Sequence, residues 1–240
     1  MSAEARRVLI STDIDGIQEH APFPFGTFKD AILKGQIKIP GSDSERVPSS
    51  NPTGLIGIAL MGFKTLFHEI RPDDKRGNEG LINTCTLFQE RGAETKVVAL
   101  SGRESFIHEM TIRKLKKSRI GGLVSEFHLS DEKSSSKFKV RRFKKFMKED
   151  QEQILIHFED DPKAAEAIAR LGIEEAQRTG QSNRVWVVMK ETLSSSVWVL
   201  KRGKLELSPN VIRKRDLRKV PEEFKQIIAS GQMQLLKAAV

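Results

Sequence analysis

The stretch Val8-Leu9-Ile10-Ser11-Thr12-Asp13-Ile14-Asp15-Gly16 decides how the rest of the chain is read. Val8 to Ser11 is a short apolar run without strict polar alternation, the pattern of a strand buried on both faces. It ends in two acids, Asp13 and Asp15, which an extended backbone sends to the same side. In open α/β sheets ligands bind beyond the carboxyl ends of the strands. Two carboxylates placed there suit Mg²⁺, a hard ion that takes oxygen ligands. Taken alone, Asp-x-Asp-Gly also reads as an ordinary solvated turn, and for an isolated match that is the better reading.

The pattern recurs downstream. Val97 to Leu100 is a second apolar run, ending in Ser101-Gly102, and a weaker third lies within Ile120 to Leu129. Ile154 to Phe158 is a fourth, ending in Glu159-Asp160-Asp161, and Val185 to Met189 a fifth. Helical stretches lie between them. Leu81 to Arg91 closes at Gly92, and Ser105 to Lys117 grows basic toward its end. Phe138 to Lys148 carries Phe143, Phe146 and Met147 at helical spacing. Pro162 suits the first turn of a helix that runs to Leu171, with Gly172 placed to close it. Strands alternating with helices predict an α/β fold with a doubly wound, Rossmann-like parallel sheet.

Two regions break that rhythm. Residues 17–77 hold Pro22, Pro24, Pro40, Pro48 and Pro52, and a structureless loop of that length is unusual in a compact domain. They read as an inserted cap or lid after the first strand, leaving residues 1–16 and 78–192 as the core. In residues 193–240, Val197 to Leu200 and Leu205 to Leu207 flank Lys201-Arg202-Gly203-Lys204 as a hairpin would, and a last helix starts near Pro221.

The chain has 240 residues and a formal net charge of +9, with a pI near 9.7, which favours anionic partners: phosphorylated small molecules, nucleic acid or an anionic membrane surface. The single cysteine, Cys85, excludes an intrachain disulfide and sits on an apolar helix face as a buried thiol would. No apolar run reaches the length of a membrane span, and the start of the chain does not read as a signal peptide. A cytoplasmic, intracellular protein is the expectation.

Two further strand ends carry chemistry. Glu159, Asp160 and Asp161 repel one another unless a positive charge lies near, and a metal would supply it. Capping of the helix at Pro162 accounts for one of these acids but not for three. Ser101-Gly102-Arg103, at a strand-to-helix turn, offers a hydroxyl and backbone N–H groups for a phosphate, although a plain helix cap is the better reading in isolation.

Taken together these motifs resemble the haloacid dehalogenase superfamily. Its order is Asp-x-Asp, then Ser or Thr, then Lys, then an acidic pair. The Lys element here is Ser135-Ser136-Lys137-Phe138-Lys139. It is similar to the form found in small members, including the Swiss Army Knife branch linked to nucleic-acid repair. The resemblance runs from Val8 to about Leu171 and is most specific from Phe138 to Ala165.

That resemblance implies a magnesium-dependent phosphohydrolase working through an aspartyl phosphate. Asp13 would be the nucleophile, and Asp15 would protonate the leaving oxygen and then deprotonate water. Ser101, with Gly102 and Arg103, would bind the phosphoryl group. Lys139, or alternatively Lys137, would balance charge beside Asp13. Mg²⁺ would be held by Asp13, a backbone carbonyl at Ile14 or Asp15, and Asp160 with Glu159 or Asp161 beside it. Two features depart from the family. Ile17 stands where Thr commonly follows the first motif, and the acidic motif is Glu-Asp-Asp rather than Gly-Asp.

Lys137, Lys139, Arg141, Arg142, Lys144, Lys145 and Lys148 crowd one helix beside the implied site, with further basic clusters at Arg113 to Arg119 and Arg213 to Lys219. Solvated helix faces account for them. So would a phosphate-rich substrate such as a nucleic-acid end. A non-catalytic protein of the same fold that binds nucleic acid or another partner is therefore the alternative, as is a phosphatase in nucleic-acid end processing. With no tyrosine in the chain, a base-stacking platform is poorly supported. None of His20, His68, His108, His128 and His157 receives a role, and His157 reads as structural.

Because residues 17–77 follow the implied nucleophile, a lid there should select substrate. Replacing Ile39 to Pro52 with a short Gly-Ser linker should change the order of preference across a panel of phosphate esters while the core stays folded. Unchanged kinetics would make the segment a peripheral elaboration.

Overall fold

The structure, a computed structural model, describes residues 6–14, 17, 73–102, 107–130, 135–191, 208–233 and 235. Most of the 17–77 segment, the 197–207 hairpin, Asp15 and Arg103 therefore lie outside the described residues. Six strands form one sheet: β1 (Arg7–Asp13), β2 (Glu94–Ser101), β3 (Val124–Leu129), β4 (Ile154–Glu159), β5 (Val185–Lys190) and β6 (Val211–Lys214). Their spatial order is β3-β2-β1-β4-β5-β6, and every neighbouring pair is parallel. Among the described residues five α-helices accompany them: α1 (Lys75–Glu90), α2 (His108–Lys117), α3 (Ser135–Glu149), α4 (Pro162–Thr179) and α5 (Val220–Ala229). This is the doubly wound α/β sheet that the sequence predicts.

The strands lack polar alternation because helices cover both faces. Val8 and Ile10 of β1, Ile154, Ile156 and Phe158 of β4, and Trp186 and Val188 of β5 join one core with α1 and α5. The intervening Leu9, Leu155, Val185, Val187 and Met189 join a second core with α3 and α4. On the first face the Phe88 and Phe224 rings meet edge-on at 5.3 Å, which ties α5 to α1. Cys85 lies inside this core, where burial pushes its thiol up to about 12 and makes it a poor nucleophile.

Three elements differ from the sequence reading. Helix α1 begins at Lys75 rather than Leu81, because Asp74 accepts hydrogen bonds from the backbone N–H groups of Arg76 and Gly77 and caps it there. Strand β6 was not anticipated: Val-Ile-Arg-Lys is four residues long and half charged, yet it pairs with β5. Helix α4 runs past Gly172 to Thr179 and ends at Gly180, whose φ of +67° closes it. Gly172 is a point of close approach instead, since a Cβ there would lie 2.4 Å from Val185 Cβ.

Gly172→Ala should therefore lower stability by about 1–3 kcal/mol through overpacking against β5, despite alanine's better helix propensity. Urea unfolding measures it, and the penalty should shrink in a Val185→Gly background, which removes the Cβ that the new methyl would meet. A stabilised Gly172→Ala protein would contradict the packing described.

Candidate active site

Strands β1 and β4 are neighbours at the centre of the sheet, with Ser11 opposite His157. Alternation then builds one graded column on the α3 side. Leu9 and Leu155 lie in the apolar core; above them come Ser11 and His157, then Asp13 and Glu159 at the carboxyl ends. Helix α3 exposes Lys137, Arg141, Lys144, Lys145 and Lys148 and buries Phe138, Lys139, Phe143, Phe146 and Met147. Lys139 thus begins the helix's apolar stripe, and its stem runs inward past the core.

Its ammonium lies between two acids. Lys139 Nζ is 2.9 Å from Asp13 Oδ2 and 2.6 Å from Glu159 Oε2. Lys139 is 1% exposed, Glu159 0% and Asp13 6%. Burial alone would depress the Lys139 ammonium, but attraction to Asp13 and Glu159 and hydrogen bonds to both hold it above its ordinary value. Burial would likewise raise Glu159, yet the charge of Lys139 and the hydrogen bond from His157 hold it well below the usual carboxylate range. A buried lysine of this kind stays charged because its partners are fixed. Lys137, by contrast, is exposed.

The three acids after β4 are used differently. Glu159 Oε2 accepts from Lys139 and from His157 Nε2 at 3.1 Å, and Oε1 accepts from the backbone N–H groups of Asp160 and Asp161 at 3.1 Å each. Four donors meet the roughly four lone-pair directions of one carboxylate. Asp161 caps α4, accepting from Lys163 N at 2.9 Å, and Ser136 Oγ donates to it at 3.4 Å. Asp160 is half-buried and has one oxygen in a group with those of Asp13 and Glu159, all within 4.8 Å of one another. Three carboxyl groups against one ammonium leave two formal negative charges, the complement of a divalent cation, and the all-oxygen donor set fits a hard one. Glu159 already accepts four hydrogen bonds, so of the three Asp13 and Asp160 are the ones that could hold it.

At the end of β2, Ser101 is 1% exposed, and its hydroxyl meets no hydrogen-bond partner among the described residues. It directly follows Leu100, which is paired with Asp13. A buried polar group left unsatisfied calls for a ligand or water, and a phosphoryl oxygen suits a hydroxyl donor. Gly102 lets the start of α3 close on this strand end, since a Cβ there would sit 2.7 Å from Ser135 Cβ.

A solved structure from Burkholderia xenovorans LB400, described as a haloacid dehalogenase-like hydrolase, matches this chain with a TM-score of 0.52. The match covers 93% of this chain and 99% of the other. The two chains share this fold. Identity over the match is 11%, so the likeness speaks for the architecture. No protein-family model and no curated protein matches the chain. Among the described residues no helix is long and apolar enough to cross a membrane.

Of the residues singled out in the sequence, Asp13, Lys139, Glu159 and Asp160 come together, and Ser101 and Gly102 end the adjoining strand. Asp161 is drawn into capping. The sequence reading gives Ser11 no role and reads His157 as structural, without its contacts to Glu159 and Ser11. Period-two alternation from Glu159 and Asp13 was the available signal, but it becomes informative only once β1 and β4 are known to be neighbours.

Lys139→Met should destabilise the fold by about 3–5 kcal/mol, because it leaves two buried carboxylates facing each other. Urea unfolding tests this, and a loss below about 1 kcal/mol would contradict the ion pair's structural weight.

Proposed function

We propose that this protein is a magnesium-dependent phosphohydrolase that passes through an aspartyl phosphate on Asp13. The observation that carries the reading is the buried Lys139 ammonium 2.9 Å from Asp13 Oδ2. It lies beside a carboxylate group suited to a divalent ion, on a haloacid dehalogenase-like fold. The Asp13 side chain is already oriented, since Ile14 N–H donates to its Oδ1 at 2.9 Å.

In this reading an Asp13 carboxylate oxygen bonds to phosphorus while the ester P–O bond breaks. Asp15, outside the described residues, gives its proton to the leaving oxygen. Asp15 then takes a proton from water, whose oxygen attacks phosphorus and frees Asp13. Dividing the hydrolysis in two replaces one difficult step by two easier ones. Lys139 keeps Asp13 ionised and offsets part of the incoming phosphate charge, while Ser101 donates to a phosphoryl oxygen. Asp13 and Asp160 would hold Mg²⁺, which when bound screens the repulsion between anionic nucleophile and anionic substrate. The described part of the phosphate seat is Ser101 and Gly102, and Arg103 extends it by its place in the sequence.

A nucleic-acid end is a second reading, favoured by one observation. Lys137, Arg141, Lys144 and Lys148 are exposed and recur at i, i+4, i+7 and i+11, so they form one stripe along α3 leading away from Lys139. The stripe spans about 16 Å at 1.5 Å per residue, enough to follow several backbone phosphates.

The test is hydrolysis of p-nitrophenyl phosphate and of a terminally phosphorylated oligonucleotide by the full chain, with Mg²⁺ and with excess chelator. Turnover should require Mg²⁺. Asp13→Asn should lower kcat by at least about 10³-fold with the fold intact by circular dichroism. Turnover undiminished in chelator, or an Asn variant as fast as wild type, would contradict the reading.

A further inference from the structure

The contacts that converge on Asp13 begin two residues deeper in the sheet. His157 is fully buried, and its ring meets that of Phe143 edge-on at 5.1 Å. Its Nε2 lies 3.1 Å from Glu159 Oε2, and its Nδ1 lies 2.9 Å from Ser11 Oγ. An ionised carboxylate can only accept, so Nε2 carries the hydrogen. With Nε2–H committed to Glu159, the hydroxyl opposite Nδ1 can supply the hydrogen for that contact. On a neutral ring Nδ1 is then the acceptor, and the Ser11 hydroxyl donates to it. The competing acceptor for that hydroxyl, the Ile156 carbonyl oxygen, is farther away at 3.2 Å.

The result is a continuous buried series, Ser11–His157–Glu159–Lys139–Asp13, drawn from two adjacent strands and one helix. Each group in it is in hydrogen-bond or ion-pair contact with the one before. A carboxylate at the end of a strand can rotate about its side-chain bonds, and backbone N–H groups hold only Oε1 of Glu159. Oε2, the oxygen that meets Lys139, has His157 as its second donor.

We propose that His157, itself oriented by Ser11, is a positioning residue whose Nε2–H fixes Glu159 Oε2 so that the Lys139 ammonium is shared between Glu159 and Asp13. Sharing matters for the reaction. An ammonium paired with Asp13 alone would quench the charge that must attack phosphorus, whereas one withdrawn onto Glu159 would leave the nucleophile without a counter-charge. For catalysis the proposal rests on Asp13 being the nucleophile; the structural part stands apart from it.

The experiment compares full-length wild type with His157→Gln, which keeps a donor near the Nε2 position, and His157→Leu, which fills space without one. Two properties are read. The first is the ¹H–¹⁵N signal of the buried Lys139 ammonium, assigned by its loss in Lys139→Met. The second is kcat and KM for p-nitrophenyl phosphate with Mg²⁺, with thermal melting as a check on folding. His157→Leu should lose the protected ammonium signal and drop kcat by roughly 10- to 100-fold, with KM changed by less than about twofold. His157→Gln should restore both. A Leu variant that keeps the signal overturns the proposal, as does a Gln variant that falls as far as Leu. If the signal responds as expected but wild type hydrolyses no phosphate ester, the positioning role stands and the phosphohydrolase reading falls.

Discussion

Everything at the carboxyl edge of this sheet depends on one buried ammonium held between two buried carboxylates. Lys139 is the polar head of an otherwise apolar helix face, and it is almost fully buried. It stabilises Asp13 and Glu159 at once. Remove it, and two like charges face each other in low dielectric, where repulsion at about 4 Å is on the order of several kcal/mol. The fold tolerates such a cluster because every member has a fixed partner, and because the cluster sits on a rigid parallel sheet rather than on a loop.

The same arrangement shows how a strand can be both core and site. Along β1 and β4 one face passes from leucine, through serine and histidine, to carboxylate within five residues. The lower part contributes burial and fixes the register. The upper part uses that register to place charges. A one-residue slip of β1 against β4 would turn Asp13 to the opposite face, so the apolar contacts of Leu9 and Leu155 enforce the geometry of the chemistry above them.

Much of this was legible in the sequence, and the reason differs by element. The strands could be read because burial on both faces leaves short runs of Val, Ile and Leu with no polar beat. Asp13 could be read as an acid at a strand end, and Lys139 through the resemblance of Ser135 to Lys139 to the Lys element of a known motif order. The division of labour among Glu159, Asp160 and Asp161 was not legible, since it depends on where three consecutive side chains point. Glu159 turns inward to Lys139 and His157, Asp161 caps α4, and Asp160 places an oxygen near those of Asp13 and Glu159. Nor was Ser11 with His157, which requires knowing that strands about 145 residues apart are neighbours. Gly172 was misread because a glycine near a helix end and a glycine at a close helix–strand contact look identical in one dimension.

In the proposed reaction Asp13 becomes covalently phosphorylated. Rapid mixing of the protein with an activated phosphomonoester and Mg²⁺, acid quench, and mass spectrometry of the peptides tests it most directly. One added phosphoryl group, labile to hydroxylamine, is expected on the peptide that contains Asp13 and on no other. Steady turnover with no phosphorylated peptide, or with the phosphoryl group on a different residue, would contradict it.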